Sequence, residues 1–276
     1  MAEFELPEND VNKYQVQDGS RDEAILKTLT DIVTNTGGNT LDGGVVNKFG
    51  KNLDIDIADG EALIASQGGS INIMTTADTL DCVSSSTEDD TGGTGASYIL
   101  ISGIDGNFLA IDEYVTLNGT TPVTTTNTFL GVNRVVVITT GSNDSNVGII
   151  TVDDTLNAVG VQAAIPAEAS VTQQCFYHVP ISRTFKLEFI NLSAIKVAGG
   201  GGDPVLEIKG YSYSRVTDTR YEVIDLQMDI ARDNNLNLPY SNAIVFGGRE
   251  VIYFTCSTDK DNTKISMRFS GPETDS

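Results

Sequence analysis

Apolar and polar residues alternate with a period of two through much of this chain, and that alternation predicts strands rather than helices. The clearest run is 98–104, followed by Asp105-Gly106-Asn107, a turn of the Asp-Gly kind, and a return strand over 108–117. Asn118-Gly119 marks a second turn. Strands follow at 123–130 and 134–139, and the polar stretch 141–146 leads into another at 147–152. Turn signals every 8–12 residues or so predict an antiparallel sandwich.

The second half repeats the pattern. Segments 173–179, 185–195, 205–213, 221–228, 244–246, 251–256 and 264–269 all alternate. They are parted by the glycine loop 199–202, by turns near Asp218 and Asp259, and by 234–239 (NNLNLP), which reads as an irregular connection. Between the halves, 151–170 is a bridge of small residues. Upstream signals are weaker: 53–57 and 70–74 each show one short alternation. The stretch 84–95 (SSSTEDDTGGTG) has no apolar residue and reads as a linker or mobile loop.

Only near the N-terminus does the period change. Ser20 and Glu23 form a capping box, Ile25, Leu29 and Ile32 recur at spacings of four and three, and Thr36-Gly37-Gly38 stops the run. A helix over 21–33 is too short to stand alone, so its stripe must bury against something. Two partners suit it: the protein's own sheet, or a second copy through a short seam of heptad type. The predicted organisation is therefore an N-terminal arm and helix (1–42), a first β domain (43–160) and a second β-sandwich domain (161–276). The fold class is all-β, with two antiparallel, jelly-roll-like sandwiches.

Composition sharpens this. The 276 residues hold 27 Gly and no Trp, which suits short strands joined by turns. Asp and Glu number 38 against 17 Lys and Arg, a net charge of −21. Without clustered cations the chain has no means of releasing counterions from a phosphate backbone, so nucleic acid is not an expected partner. Anionic lipid is disfavoured for the same reason, and no apolar run is long enough to span a bilayer. The opening MAEFELPEND lacks the basic region and apolar core of a signal peptide, which predicts synthesis and assembly in the cytoplasm.

Reactive chemistry is sparse. His178 is the only histidine, between Tyr177 and Val179 on a predicted strand, and reads as structural. Cys82, Cys175 and Cys256 show no ligand spacing and read as buried thiols. Asp54, Asp56 and Asp59 resemble the start of a calcium loop, but no Glu stands at its twelfth position. Glu88-Asp89-Asp90 is a second acidic run. No nucleophile-elbow, zinc or phosphate-loop motif occurs, so no catalytic residue, cofactor or metal is expected.

The segment Leu117-Asn-Gly-Thr-Thr-Pro-Val-Thr-Thr-Thr-Asn-Thr-Phe-Leu130, with Val132-Asn-Arg134 after it, resembles a virion structural family of tailed bacteriophages. Ile101-Ser-Gly-Ile-Asp-Gly-Asn107, Gly141-Ser-Asn-Asp-Ser-Asn-Val-Gly148 and Gln174-Cys-Phe-Tyr-His-Val-Pro180 extend the resemblance over roughly residues 97–270. The chain departs from the family pattern after Pro180, where Ile-Ser-Arg stands, and residues 1–94 have no counterpart in it. The resemblance implies a non-enzymatic virion protein, a capsid decoration or head knob or fibre. It would form a homotrimer and dock on other virion proteins such as the major capsid protein. A tail-associated module that recognises a host surface glycan is the alternative. Ile25, Leu29 and Ile32 are the expected interface residues.

Overall fold

The computed structural model describes residues 44–155, 160–197 and 202–276. The predicted helix over 21–33, with Ile25, Leu29 and Ile32, and the arm before it lie outside the described residues, as does most of the glycine loop 199–202. Within them the chain is all-β, with one 3-10 turn at Ile57–Asp59.

Two units emerge from the pairing. The larger one uses β1 (Val45–Ile55), a short β2 (Ala62–Leu63), and β10 (Phe176–His178) to β16 (Thr263–Asp275). Between β10 and β16 lie β11 (Arg183–Lys196), β12 (Val205–Ser214), β13 (Thr219–Asp229), β14 (Asn235–Phe246) and β15 (Glu250–Thr258). Leaving β2 aside, the pairs are nested: β1 with β16, β10 with β15, β11 with β14, and β12 with β13, all antiparallel. Two further pairings, β11 with β16 and β12 with β15, join them into two sheets, β1-β16-β11-β14 and β10-β15-β12-β13. Inward side chains of both sheets form a single core around Tyr177, Phe185, Phe246, Phe254 and Phe269. Phe185 packs on Tyr177, Phe246 and Phe269 at ring separations of 5.9, 6.0 and 5.9 Å. Truncating one of these rings to Ala costs about 3–5 kcal/mol.

The smaller unit is inserted between β1 and β10. It consists of β3 (Leu80–Ser84), β4 (Ala96–Ile104), β5 (Ala110–Thr116), β6 (Val123–Thr124), β7 (Gly131–Thr140), β8 (Ile150–Asp154) and β9 (Val161–Ile165). They make the sheets β6-β3-β8-β9 and β5-β4-β7, which share a second core including Ile99, Ile101, Phe129, Val135, Ile150 and Val152. The hairpin foreseen at Asp105-Gly106-Asn107 forms: β4 pairs with β5, and Asp105 Oδ1 accepts from the N–H groups of Asn107 and Leu109 at 2.8 and 2.9 Å.

Several expectations need correction. Segment 45–55 was assigned with 43–160, yet it pairs along its length with β16 and belongs to the larger unit. The bridge 151–170 contains β8 and β9, which pair with each other. The stretch 70–74 is not a strand; Ile71 and Ile73 instead pack on a small cluster with Tyr211 and Tyr253. The connection expected at 234–239 is the first half of β14, with Phe189 opposite Pro239. β14 ends its sheet, so Pro239 can sit there without costing a ladder hydrogen bond. The expected loop 84–95 is fixed by Asp89, which is fully buried. Its carboxylate accepts from Ser84 Oγ (2.5 Å) and from the N–H groups of Ala96, Val147 and Gly148 (2.8 Å each).

Candidate functional site

A buried polar cluster lies where the two units meet. It is built from β7 of the smaller unit and from β1, β10 and β12 of the larger. Asn133, on β7, acts as a substitute strand partner for the peptide of His178. Its Nδ2 donates to His178 O at 3.0 Å and its Oδ1 accepts from His178 N at 2.7 Å. Lys48, on β1, donates to Asn133 O. Gln174 Nε2 donates to the carbonyls of Val132 and Asn133 at 3.2 and 3.1 Å. Arg215, just past β12, donates to Met74 O, to Leu130 O at 3.0 Å and to His178 Nδ1 at 3.2 Å.

These contacts fix protonation. A guanidinium only donates, so His178 Nδ1 is an acceptor and the ring proton sits on Nε2. Burial first, then the charges of Arg215 and Lys48, hold the His178 pKa well below its ordinary value, so the ring is neutral. Gly131 lies flat against it: a Cβ there would stand 2.6 Å from Nδ1, so any side chain would drive the imidazole off Arg215. Burial, followed by Arg134, lowers Lys48 to about 7. Burial lowers Arg215 to about 10, which leaves it charged at neutral pH.

No reactive pair arises from this geometry. Among the described residues no carboxylate hydrogen-bonds to the His178 ring, and Nδ1 is taken up by Arg215. The thiols of Cys82 and Cys256 are pushed up by burial to about 12, and that of Cys175 higher still, which disfavours thiolate chemistry. The acidic residues noted in the sequence serve turns: Asp56 Oδ1 accepts from Asn262 N (2.8 Å) and Asp59 Oδ2 from Asp56 N (2.8 Å). Among the described residues no group of three or more His, Cys, Asp or Glu is placed to hold a metal. The junction is suited to holding two units in one orientation.

The outer faces of the larger unit's two sheets differ. On β10-β15-β12-β13, Tyr211 and Tyr253 stack at 5.2 Å beneath Ile71 and Ile73. Lys209 lies 3.4–3.7 Å from Glu61, Glu207 and Glu222. On β1-β16-β11-β14, the register sets outward residues in rows across the sheet. One row is Phe49, Arg268, Asn191 and Asn237; the next is Lys51, Ser266, Ser193 and Asn235. Ile195 stands beside Lys264 in the row beyond. Val45, Phe49, Leu53 and Ile195 are 62, 41, 47 and 55% exposed. Sequence reasoning missed both the junction and this face. Asn133 and Arg215 carry no motif, and β1 puts Lys48, Gly50 and Asn52 inward, where apolar residues are the usual signal.

No protein-family model matches the chain, and no curated protein matches it in sequence. Among solved structures, it is similar to a structure of infectious bursal disease virus, Gt strain, at 14% identity and a TM-score of 0.18. That match covers 88% of this chain and 78% of the other. It is also similar to the VP2 subviral particle of the same virus, at 10% identity and a TM-score of 0.22, over 88% of this chain and 77% of that one. Similarity at this level sets neither fold nor function.

Proposed function

We propose that the chain is a non-enzymatic structural component of a virion. The observation that carries this reading is the nested pairing of the larger unit, 1 with 8, 2 with 7, 3 with 6 and 4 with 5 in strand order. A long hairpin folded over in this way is a jelly roll, an architecture used by capsid and lectin domains. Insertion of a whole β unit between its first and second strands supports a division of labour, with the jelly roll as base and the smaller unit projecting. The buried Arg215–His178–Asn133 junction suits that role, because it ties the smaller unit to the jelly roll through buried side-chain hydrogen bonds.

Within this reading, the resemblance of residues 97–270 to tailed-phage virion proteins favours a capsid decoration or a head knob or fibre. Assembly would then be a homotrimer docked on the major capsid protein, since closed symmetry satisfies self-complementary surfaces without leaving open contacts. The test is mass spectrometry and cryo-EM of gradient-purified particles. The chain is expected in stoichiometric, symmetry-related copies on the shell or its appendages, and its absence from intact particles sinks the proposal. Glycan-array binding by the full chain, with placement at the tail tip, would shift the assignment to the receptor-binding alternative.

A further inference from the structure

The outer face of the β1-β16-β11-β14 sheet has the chemistry of a covered surface. β1 is inverted: its outward positions are Val45, Asn47, Phe49, Lys51 and Leu53, while Lys48, Gly50 and Asn52 point inward. The protein carries 38 acidic residues against 17 basic ones, yet the outward positions of the paired rows hold Lys51, Lys186, Lys264 and Arg268 and no carboxylate. Two exposed acids on these strands, Asp54 and Glu188, stand between paired rows, at irregularities in β1 and β11. Among the described residues none of these four cations forms an ion pair, whereas Lys209 on the opposite face sits among three glutamates.

Residues 1–43 are the complement of this face. They hold nine acidic residues and three basic ones, a net charge of 9 − 3 = 6 negative, together with the apolar stripe Ile25, Leu29 and Ile32. Only Gly44 separates them from Val45, at the edge of the same sheet. Twelve residues lie between Ile32 and Val45, a reach of up to about 45 Å when extended. The four strands are only about 15 Å across, so the stripe reaches every row. We propose that residues 1–43 fold back over the outer face of their own chain's β1-β16-β11-β14 sheet. Ile25, Leu29 and Ile32 would cover Phe49 and its apolar neighbours, with the acids beside Lys51, Lys264 and Arg268. Tethering favours the chain's own segment, because a short linker supplies an effective concentration in the millimolar range. The inference stands apart from the virion assignment and survives its failure.

The test uses the full chain, mixed in equal parts as isotopically light and heavy protein and treated with a zero-length carbodiimide. Carboxylates of residues 1–43 are expected to couple to Lys51 or Lys264, in peptides of a single isotope. Links only between light and heavy peptides would assign the face to a second copy and overturn the proposal. Absence of links to these lysines, or equal linking to Lys209, would overturn it as well. A second measurement guards against poor coupling yield. In the Ile25→Ser, Leu29→Ser variant, acylation of Lys51 and Lys264 is expected to quicken about threefold, the scale of losing a weak surface pairing. Lys209 should be unaffected. Unchanged rates at all three lysines count against the idea.

Discussion

The two sheets of the larger unit face outward onto opposite circumstances. On β10-β15-β12-β13, the strand 62–63 and the segment after it lie over Tyr211 and Tyr253, and the smaller unit is anchored through Arg215 and His178. Lys209 there is ringed by Glu61, Glu207 and Glu222. On β1-β16-β11-β14, the described residues leave Phe49, Leu53 and Ile195 in solvent beside unpaired cations. One face is therefore part of the fold, while the other is a surface for something else. Substitutions on the first should cost folding free energy, and on the second should change only what binds.

The largest effect is expected at Arg215. Its guanidinium satisfies Met74 O, Leu130 O and His178 Nδ1 at once. Arg215→Ala leaves all three without that donor, at a cost of about 4 kcal/mol, since a hydrogen bond to a charged group is worth about 1.5–3 kcal/mol and the losses are not fully additive. Urea denaturation measures it, and a loss below about 1 kcal/mol would show that the units are held by other contacts. Asn133→Ala should follow with about 2–3 kcal/mol, as it strips the His178 peptide of both side-chain partners. Since Asn133 is on the smaller unit, a separate early transition in calorimetry is expected with either variant.

The strands of the covered sheet were readable from sequence, whereas only two of the four in the bare sheet, β11 and β16, read clearly. β11, β12, β15 and β16 alternate because their inner positions face one shared apolar core. β1 reads poorly because its inner half meets backbone at the junction instead: a Cβ on Gly50 would lie 2.2 Å from Ile64 O. Asn52 Nδ2 donates to Leu63 O at 3.1 Å, and Lys48 reaches Asn133 O. β14 hides behind Asn235, Asn237 and Pro239, residues a strand tolerates at a sheet edge. The loop 84–95 reads as mobile because polar composition does not reveal that one carboxylate will collect four donors. The insertion is invisible for a related reason: a strand's partner is set by packing at long range, and β1 finds its partner at the far end of the chain. His178, which reads as structural, lies in the junction as a fixed, neutral acceptor, and the expected interface residues Ile25, Leu29 and Ile32 fall outside the described residues.

A smaller effect separates the buried cation from the exposed ones. Lys48 has its folded pKa lowered to about 7, chiefly by burial, from an ordinary value near 10.5. Between these values the unfolded chain binds more protons than the folded one, so stability should rise with pH from about 7 to about 9. Lys48→Met should remove that slope. At pH 7 the substitution should lie within about 1 kcal/mol of the parent, because Asn133 O keeps Gln174 Nε2 as a donor. Denaturation midpoints across the pH range decide it, and a slope that persists in Lys48→Met assigns the proton uptake elsewhere.

The smallest change in folding stability is expected on the bare face. Lys51 and Arg268 are outward, in adjacent rows, and none of their described neighbours is a carboxylate to be left unpaired. Lys51→Ser with Arg268→Ser should therefore stay within about 0.5 kcal/mol of the parent in urea, as surface substitutions usually do. The same pair of changes should weaken whatever rests there. If residues 1–43 cover the sheet, hydrogen exchange in that segment should quicken in the double variant while β11 and β16 keep their protection. A loss of several kcal/mol would mean instead that the two cations hold the sheet itself, and the contrast between the faces would be one of degree. Unchanged exchange together with unchanged stability would leave the cations without a role in holding the segment. The apolar positions Phe49, Leu53 and Ile195 would then have to carry the docking alone, and Phe49→Ser becomes the change that separates a covered face from a bare one.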